Sequence, residues 1–576
     1  MFQMWQFLNP VGIWFHQQLT KRSEKTIKQY YEDVNRSTLS KELVEVLGRL
    51  VDNPEHLREI FKQSAVTQED GVLHWDEDSF KKWVTTNQPL SVISTCIPTL
   101  WRVFVYFAGF PFTELTFAES EGSTTQHQRI DEDGFVQAYS LLALRGVELL
   151  GNARDGFNPR GSVEKSWSQK SPRLASLMFD SLKISSTELG ERSQGLVNAN
   201  LTDRAEEQLM NAIAVTQPVP YMTGLSFEKE LMEVARRMVN DNVTPNHDKP
   251  SSFAMSKNDL QIFIQLFLLL RIGNDPWTRG LILYETIQVS KNIEKLNFVS
   301  NQEEILLSGR LANVLIQHTL GNVDSITWQS FETFYTAYPN IVLRFYQLWT
   351  AICAVHPISS SSHNPGYGLL NCVVQFLSLF GPVEFDSLLP PGSGIDEHER
   401  QLQLDLQNAT LVADSASTPA LEESQLVERL TNNKWYHILI LFTEEAHEPA
   451  SMESTERLIA LFTSPHENQI LWQNSPGCTS YAWRYGLVQL LPHISTSQTG
   501  GLSTSFQDSV IKFSPHNESS HESSSVTVDL KNGNVTVEGI GSLLLRLKLK
   551  SLKCYQMPGT AIKIHIVRSV HTPFRS

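Results

Sequence analysis

The feature that most constrains this chain is the dipeptide Asn532-Gly533 and what flanks it. Val526, Val528 and Leu530 alternate with polar residues before it, and Val535 and Val537 alternate after it. Asn-Gly between two alternating runs is the strongest short-range signal for a β-hairpin, because both turn residues must tolerate positive φ. The alternation continues downstream. Leu543, Leu545, Leu547 and Leu549 alternate with Leu544, Arg546, Lys548 and Lys550, and Ile562, Ile564 and Ile566 with Lys563 and His565. Such runs give strands with one apolar face. Residues 438–442 form a continuous apolar run, which reads as a buried strand. The C-terminal third is therefore expected to be a mostly antiparallel sheet. The polar stretch 514–525 interrupts it as a loop.

The rest of the chain follows the helix period. Leu43, Val46, Leu47, Leu50 and Val51 share one face. Asn53 before Pro54 is a cap followed by a proline at the first helical position, with Leu57, Ile60 and Phe61 continuing the apolar face. Asp76 is placed to cap a helix carrying Phe80, Trp83 and Val84, and Pro98 to open another carrying Leu100, Phe104 and Phe107. The pattern repeats loosely at Asp131-Glu132-Asp133-Gly134, before an apolar helix from Phe135 to about Leu149. Ser226 is a cap for a helix bearing Leu231, Val234, Ala235 and Met238. Residues 257–271, 303–318 and 328–352 add further helices. Two polar, turn-rich stretches, 154–171 and 355–366, read as linkers.

With 576 residues the chain exceeds what one hydrophobic core supports, so two to four domains are expected. Its formal charge is −15, which gives no global electrostatic footprint for nucleic acid. The charge is uneven. After Glu538 there is no Asp or Glu, whereas Arg546, Lys548, Lys550, Lys553, Lys563, Arg568 and Arg575 all follow. These cations read as the solvated face of edge strands, which lysines protect from aggregation, or as a docking patch for an acidic partner or membrane surface. Cys96, Cys353, Cys372, Cys478 and Cys554 form no CxxC pair and read as scattered buried thiols. The start lacks a basic segment before its apolar run, so no secretory signal is expected, and the sequons at Asn200, Asn242 and Asn534 are then uninformative. No uncharged apolar stretch approaches 18 residues. The chain is expected to be soluble and cytoplasmic.

Two acidic loops invite a calcium reading, which needs oxygen ligands at loop positions 1, 3, 5, 9 and 12 with Gly at 6. With Gly71 at position 6, the ligand positions include Val66, Gln68, Asp70 and Glu77. With Gly134 there, they include Arg129, Asp131, Asp133 and Ser140. Each loop holds half a site, so both read as turns between helices that bind no metal. No G-x-S-x-G, H-E-x-x-H, G-x-x-x-x-G-K-[ST] or G-x-G-x-x-G motif is present. Gly366-Tyr367-Gly368 reads as a turn before an apolar helix, and His516 and His521 lie among serines and glutamates with a weak metal signal. No catalytic, cofactor-binding or metal residue is assigned.

Several longer runs carry a resemblance. DGVLHWDEDSFKKWV (70–84) and LWRVFVYFAGFPF (100–112) resemble the N-terminal helical region of fungal TLDc-domain proteins of the restriction-of-telomere-capping type. ITWQSFETFYTAYPNIVLRFYQLW (326–349) resembles the second EF-hand-like half of that family. LLNCVVQFLSLFGP (369–382), WYHILILF (435–442) and YGLVQLLPHI (485–494) resemble the opening helix, first core strand and middle strand of the TLDc domain. The chain departs from the family at Gly539-Ile540-Gly541, where a glycine-rich segment is usual, and at the basic run 561–570, where the family has an acidic strand. Met1-Phe2 offers no myristoylation site.

The resemblance implies an α+β chain: a helical, EF-hand-like N-terminal half, then a C-terminal antiparallel β-sandwich, TLDc-like, with flanking helices. The expected divisions are 37–153 (helical, EF-hand-like), 154–171 (linker), 172–354 (second EF-hand-like half) and 365–576 (divergent TLDc-like domain). It also implies a non-enzymatic interaction protein without cofactors. The partner the resemblance implies is the vacuolar proton pump, the implied role is oxidative-stress resistance, and the implied place is the cytoplasm or the periphery of the vacuolar membrane. The alternatives are a calcium-responsive regulator and an enzyme with an unrecognised site.

Overall fold

The structure is a computed structural model. It describes residues 25–48, 54–67, 71–87, 91–113, 129–142, 167–185, 201–217, 228–242, 253–272, 296–298, 302–338, 341–353, 367–379, 400–404, 410–414, 426, 430, 436–445, 456–463, 487–497, 502–507, 509–515, 525–540, 543–557 and 559–563. The expected linker 355–366, the loop interior 516–524 and residues 564–576 thus lie largely or wholly outside the described residues.

Helices come first. They span Arg36–Gly48, Pro54–Ser64, Glu77–Asn87, Ser91–Ala108, Glu132–Leu142, Trp167–Leu182, Leu201–Thr216, Glu228–Asn242, Lys257–Leu269, Gln302–Leu320, Trp328–Ala337, Ile341–Cys353 and Tyr367–Ser378. Several begin where the sequence signals a start. Pro54 is the first residue of its helix, and Leu57, Ile60 and Phe61 are buried. Pro98 behaves differently. It lies inside Ser91–Ala108 rather than opening it. Proline reads as a start because it lacks an N–H, but here an apolar face that includes Ile93, Ile97, Leu100 and Phe104 holds the helix through it. Residues 328–352 divide into two helices on either side of Pro339. The helix Trp167–Leu182 takes in the last residues of the stretch 154–171.

Short strands link these helices: β1 (Val66–Thr67), β2 (Leu73–His74), β3 (Lys183–Ser185), β4 (Phe253–Ser256), β5 (Leu270–Ile272), β6 (Leu296–Phe298) and β7 (Ser325–Ile326). They pair antiparallel as β1–β2, β3–β4–β7 and β5–β6. One buried cluster runs through this part, from Ile27 to Leu379, so helices from both expected helical blocks share it.

The C-terminal strands are β8 (Arg400–Leu404), β9 (Thr410–Asp414), β10 (Tyr436–Glu445), β11 (Glu456–Thr463), β12 (Leu487–Leu491), β13 (Ser495–Ser497), β14 (Leu502–Gln507), β15 (Val510–Pro515), β16 (Ser525–Asp529), β17 (Asn534–Ile540), β18 (Leu543–Met557) and β19 (Gly559–Lys563). β8 and β19 pair separately. The others form a ten-stranded sheet, β10-β18-β17-β16-β15-β14-β11-β12-β13, with β9 on β18. β10 also pairs with β11, and β11 meets β14 through Thr463↔Leu502, the one parallel contact among these pairings. The path β10-β18-β17-β16-β15-β14-β11 therefore closes on itself.

The hairpin forms where Asn532-Gly533 places it. Val526 faces Val537 and Val528 faces Val535, all four buried. The turn differs from the two-residue type. Asp529 pairs with Asn534, leaving residues 530–533 as the loop, and only Gly533 has positive φ, at 62°. Asp529 Oδ1 accepts from the Asn532 N–H at 3.0 Å, which holds Asn532 at negative φ.

The sheet buries two faces. Leu439, Leu441, Ile459, Leu461, Val526, Val528, Val535, Val537 and Leu547 fill the ring. Ile440, Leu458, Ala460, Val488 and Leu490 point the other way, into the helical core. Burial on both sides is why β10 and β11 are continuous apolar runs. Arg310 Nη1 to Glu456 at 2.9 Å and Lys553 Nζ to Glu303 at 3.3 Å join the helix Gln302–Leu320 to the sheet.

Candidate functional site

The helical part is built on four similar helix starts. An apolar residue on a strand or bridge is followed at once by a capping residue: Trp75-Asp76, Ile130-Asp131, Met255-Ser256 and Ile326-Thr327. Each cap side chain accepts from an N–H of its own first turn. Asp76 takes Ser79 N at 2.8 Å, Asp131 takes Gly134 N at 2.8 Å, Ser256 takes Asn258 N at 3.1 Å and Thr327 takes Ser330 N at 3.3 Å. Four residues beyond each cap stands a fully buried apolar side chain, Phe80, Phe135, Leu260 or Phe331.

The starts meet in pairs. Trp75 and Ile130 exchange both backbone hydrogen bonds, at 2.8 and 3.0 Å. Met255 and Ile326 are cross-strand neighbours in β4 and β7. Each pair puts two helix N-termini side by side over aromatic side chains. Trp75 lies 4.5 Å from Phe135 between ring centroids, and its Nε1–H donates to Phe61 O at 2.8 Å.

This geometry revises the loop registers of the calcium reading. Asp131 caps the helix Glu132–Leu142, so Asp133 and Gly134 lie in a helical first turn and Ser140 is buried within that helix. Gly134 is needed for packing: a Cβ there would lie 3.0 Å from Ile130 Cγ2 and 3.4 Å from Ala108 Cβ. Around Gly71, Val66 is an exposed strand residue, Glu77 begins a helix, and Gln68 and Asp70 lie outside the described residues. Burial raises the Asp76 carboxyl pKa, but the Ser79 amide and hydroxyl bonds outweigh this and hold it below the usual range. Among the described residues no group of three or more His, Cys, Asp or Glu is arranged to hold a metal ion.

Two buried carboxylates bind elements together. Asp259, three residues beyond the cap Ser256, reaches across to the helix Ser91–Ala108. Its Oδ1 accepts from Thr99 Oγ1 at 2.7 Å, and Arg102 Nη1 lies 3.1 Å from its Oδ2. Asp180 Oδ1 meets Lys183 Nζ at 3.2 Å and Arg204 Nη1 at 2.9 Å. Gln208 donates to Tyr106 in the same cluster, and the Arg204 guanidinium lies 4.6 Å over the Trp328 ring. Gln137 Nε2 serves a third junction. It donates to the carbonyls of Phe107, Ala108 and Phe110, at 3.1, 2.9 and 2.6 Å, tying the Phe110-Pro111-Phe112 turn to the next helix.

The sheet has polar groups at both ends of its inner face. His437 Nδ1 lies 3.5 Å from Thr463 Oγ1, and burial pushes the imidazole pKa down to about 4. At the other end Arg457 Nη1 donates to Gln489 Oε1 at 3.0 Å. Arg344, buried in the helical part, donates to Gln347 at 2.7 Å, and burial lowers its pKa to about 9, still cationic at neutral pH.

Cys96, Cys353, Cys372 and Cys554 are buried free thiols. Burial raises Cys96 to about 11 and also raises Cys353 and Cys372. Of the C-terminal cations, Arg546, Lys548 and Lys550 are exposed on β18, Lys553 reaches Glu303, and Arg568 and Arg575 lie outside the described residues.

Sequence reasoning missed Arg102, Asp180, Lys183, Arg204, Asp259 and His437. The available signal was a charged residue inside an apolar run, as in Trp101-Arg102-Val103 and Phe179-Asp180-Ser181. Comparison of the chain with protein-family models, with curated proteins and with solved structures finds no match in any of the three. Among the described residues, no helix is long and apolar enough to cross a membrane.

Proposed function

We propose that this chain is a non-enzymatic interaction protein of the TLDc type, whose helical part carries EF-hand-like pairs that work without a metal and whose closed sheet is a divergent TLDc-like sandwich. The proposed partner is the peripheral sector of the vacuolar proton pump, with a role in oxidative-stress resistance at the periphery of the vacuolar membrane. The observation that carries this reading is the use made of the buried polar groups. Asp259 joins Arg102 and Thr99, Asp180 joins Lys183 and Arg204, and Gln137 caps a turn. Each fastens one element to another. A rigid scaffold that presents surfaces fits such an arrangement better than a reaction centre, which needs groups poised to move protons.

Sedimentation with vacuolar vesicles tests it. The purified chain should pellet with vesicles that retain the peripheral pump sector and stay in solution with stripped vesicles. Equal pelleting with both, or with neither, contradicts the proposal.

A further inference from the structure

Two cations of the C-terminal sheet, Lys512 and Lys548, do not protect a sheet edge. β15, β16, β17 and β18 each have a neighbour on both sides. Edge protection explains lysines on unpaired strands. It does not explain Lys512 and Lys548, which are paired on both sides, whereas Arg546 lies one residue beyond the pairing of β18 with β10 and is flanked by β17 alone.

These residues share the solvent face. Val526, Val528, Val535, Val537 and Leu547 point inward, so Thr527, Thr536, Arg546 and Lys548 point outward. The register aligns four of the outward residues across adjacent strands: Lys512↔Thr527, Thr527↔Thr536 and Thr536↔Arg546. The row has a cation at each end and two hydroxyls between. Three strand spacings separate its ends by about 14 Å.

Of the carboxylates of this face one is paired with a cation and two accept hydrogen bonds from neutral groups. Glu444 pairs with Lys550, Asp529 accepts from Asn532 N and Nδ2 at 3.0 and 2.7 Å, and Glu538 accepts from Ser525 Oγ at 2.9 Å. Lys548 donates to the neutral Asn534 Oδ1 at 2.7 Å. Among the described residues, Lys512 and Arg546 have no carboxylate within ion-pair distance.

We infer that the Lys512–Thr527–Thr536–Arg546 row is a docking surface for an extended acidic segment of a partner protein. Two cations about 14 Å apart match carboxylates four residues apart on an extended chain, at about 3.4 Å per residue. The two threonine hydroxyls between them can donate to the same segment. A membrane fits less well. The face described here carries no exposed aromatic or large aliphatic side chain to enter the interface. The chain's charge of −15 also opposes an anionic bilayer. The inference rests on the interaction-protein reading but not on the identity of the partner.

The test uses the full chain and a fluorescein-labelled ten-residue polyglutamate peptide, read by anisotropy at low and high salt. Saturable binding is expected at low salt and should weaken with added salt. Lys512→Glu with Arg546→Glu should weaken it about tenfold or more, whereas Lys531→Glu in the hairpin loop should change it less than about twofold. Circular dichroism establishes that the variants fold. If the charge reversal does not fold, Lys512→Gln with Arg546→Gln takes its place, with a smaller loss expected. Peptide binding that is absent, or that the row variants leave unchanged, overturns the inference. Capture on phosphatidylserine vesicles without peptide binding overturns it in favour of a membrane. Failure of the pump experiment leaves this result untouched.

Discussion

Arg102 and Asp259 form an ion pair at 3.1 Å between two helices that begin in different halves of the helical part. Both side chains are largely buried, and Thr99 Oγ1 satisfies the carboxylate further at 2.7 Å. Removing one partner of such a pair leaves the other desolvated and unmatched. Arg102→Met and Asp259→Asn should each destabilise the fold by about 3 kcal/mol. Arg102→Met combined with Asp259→Asn should cost less than the sum of the two single changes. Urea unfolding of the variants measures this, and strict additivity would show that the two side chains do not interact.

Stability should depend on pH through His437. Its folded pKa of about 4 lies below its ordinary value of 6.5, so the imidazole is neutral in the fold. The unfolded chain binds a proton there as pH falls below 6.5, and the folded chain does not until about 4. The stabilisation is therefore complete above pH 6.5 and lost progressively down to about 4. It amounts to on the order of 3 kcal/mol. Comparing wild type with His437→Gln from pH 7 to pH 4 isolates it from the carboxylates. Wild type should lose stability faster than the variant as pH falls; parallel curves would exclude a buried neutral His437.

The thiols should be silent toward a soluble disulfide reagent. Cys96, Cys353, Cys372 and Cys554 are buried, and burial raises the pKa of the first three. Only the thiolate attacks a disulfide. In native buffer these four should react at least about a hundredfold more slowly than in denaturant. Mass mapping of the modified positions checks this. Rapid native labelling of any of the four would give the chain a redox-responsive site at that cysteine.

Calcium should leave the helical part unchanged. The carboxylates at two of the helix starts, Asp76 and Asp131, already accept first-turn N–H groups. A site of about 10 μM affinity would stabilise the fold by about 2.7 kcal/mol at millimolar calcium. Thermal unfolding with calcium or with chelator should show no difference of that size. A stabilisation abolished by Asp70→Ala would restore the calcium-responsive reading.

Much of the architecture was legible because its signals are local. The Asn532-Gly533 hairpin, the helix start at Pro54, the cap at Asp76 and the buried run 438–442 each rest on a few neighbouring residues. The turn was less legible. Gly533 alone takes positive φ, because the Asp529 carboxylate holds Asn532 in another conformation. Pro98 misled because a buried helix face outweighed a missing hydrogen bond. Gly134 misled because a glycine among acids marks a loop, whereas here it lets two helices approach. The polar junctions were the least legible. Asp259 and Arg102 are separated by 157 residues in the chain, and nothing local assigns one to the other.

The proposed mode of action, binding the vacuolar proton pump rather than catalysis, has a direct test. Affinity purification of the tagged full chain from native cells, followed by quantitative mass spectrometry against an unrelated tagged protein, tests it most directly. Peripheral-sector subunits of the pump should be enriched with the chain. Recovery of the chain with no pump subunit above the control would contradict the claim.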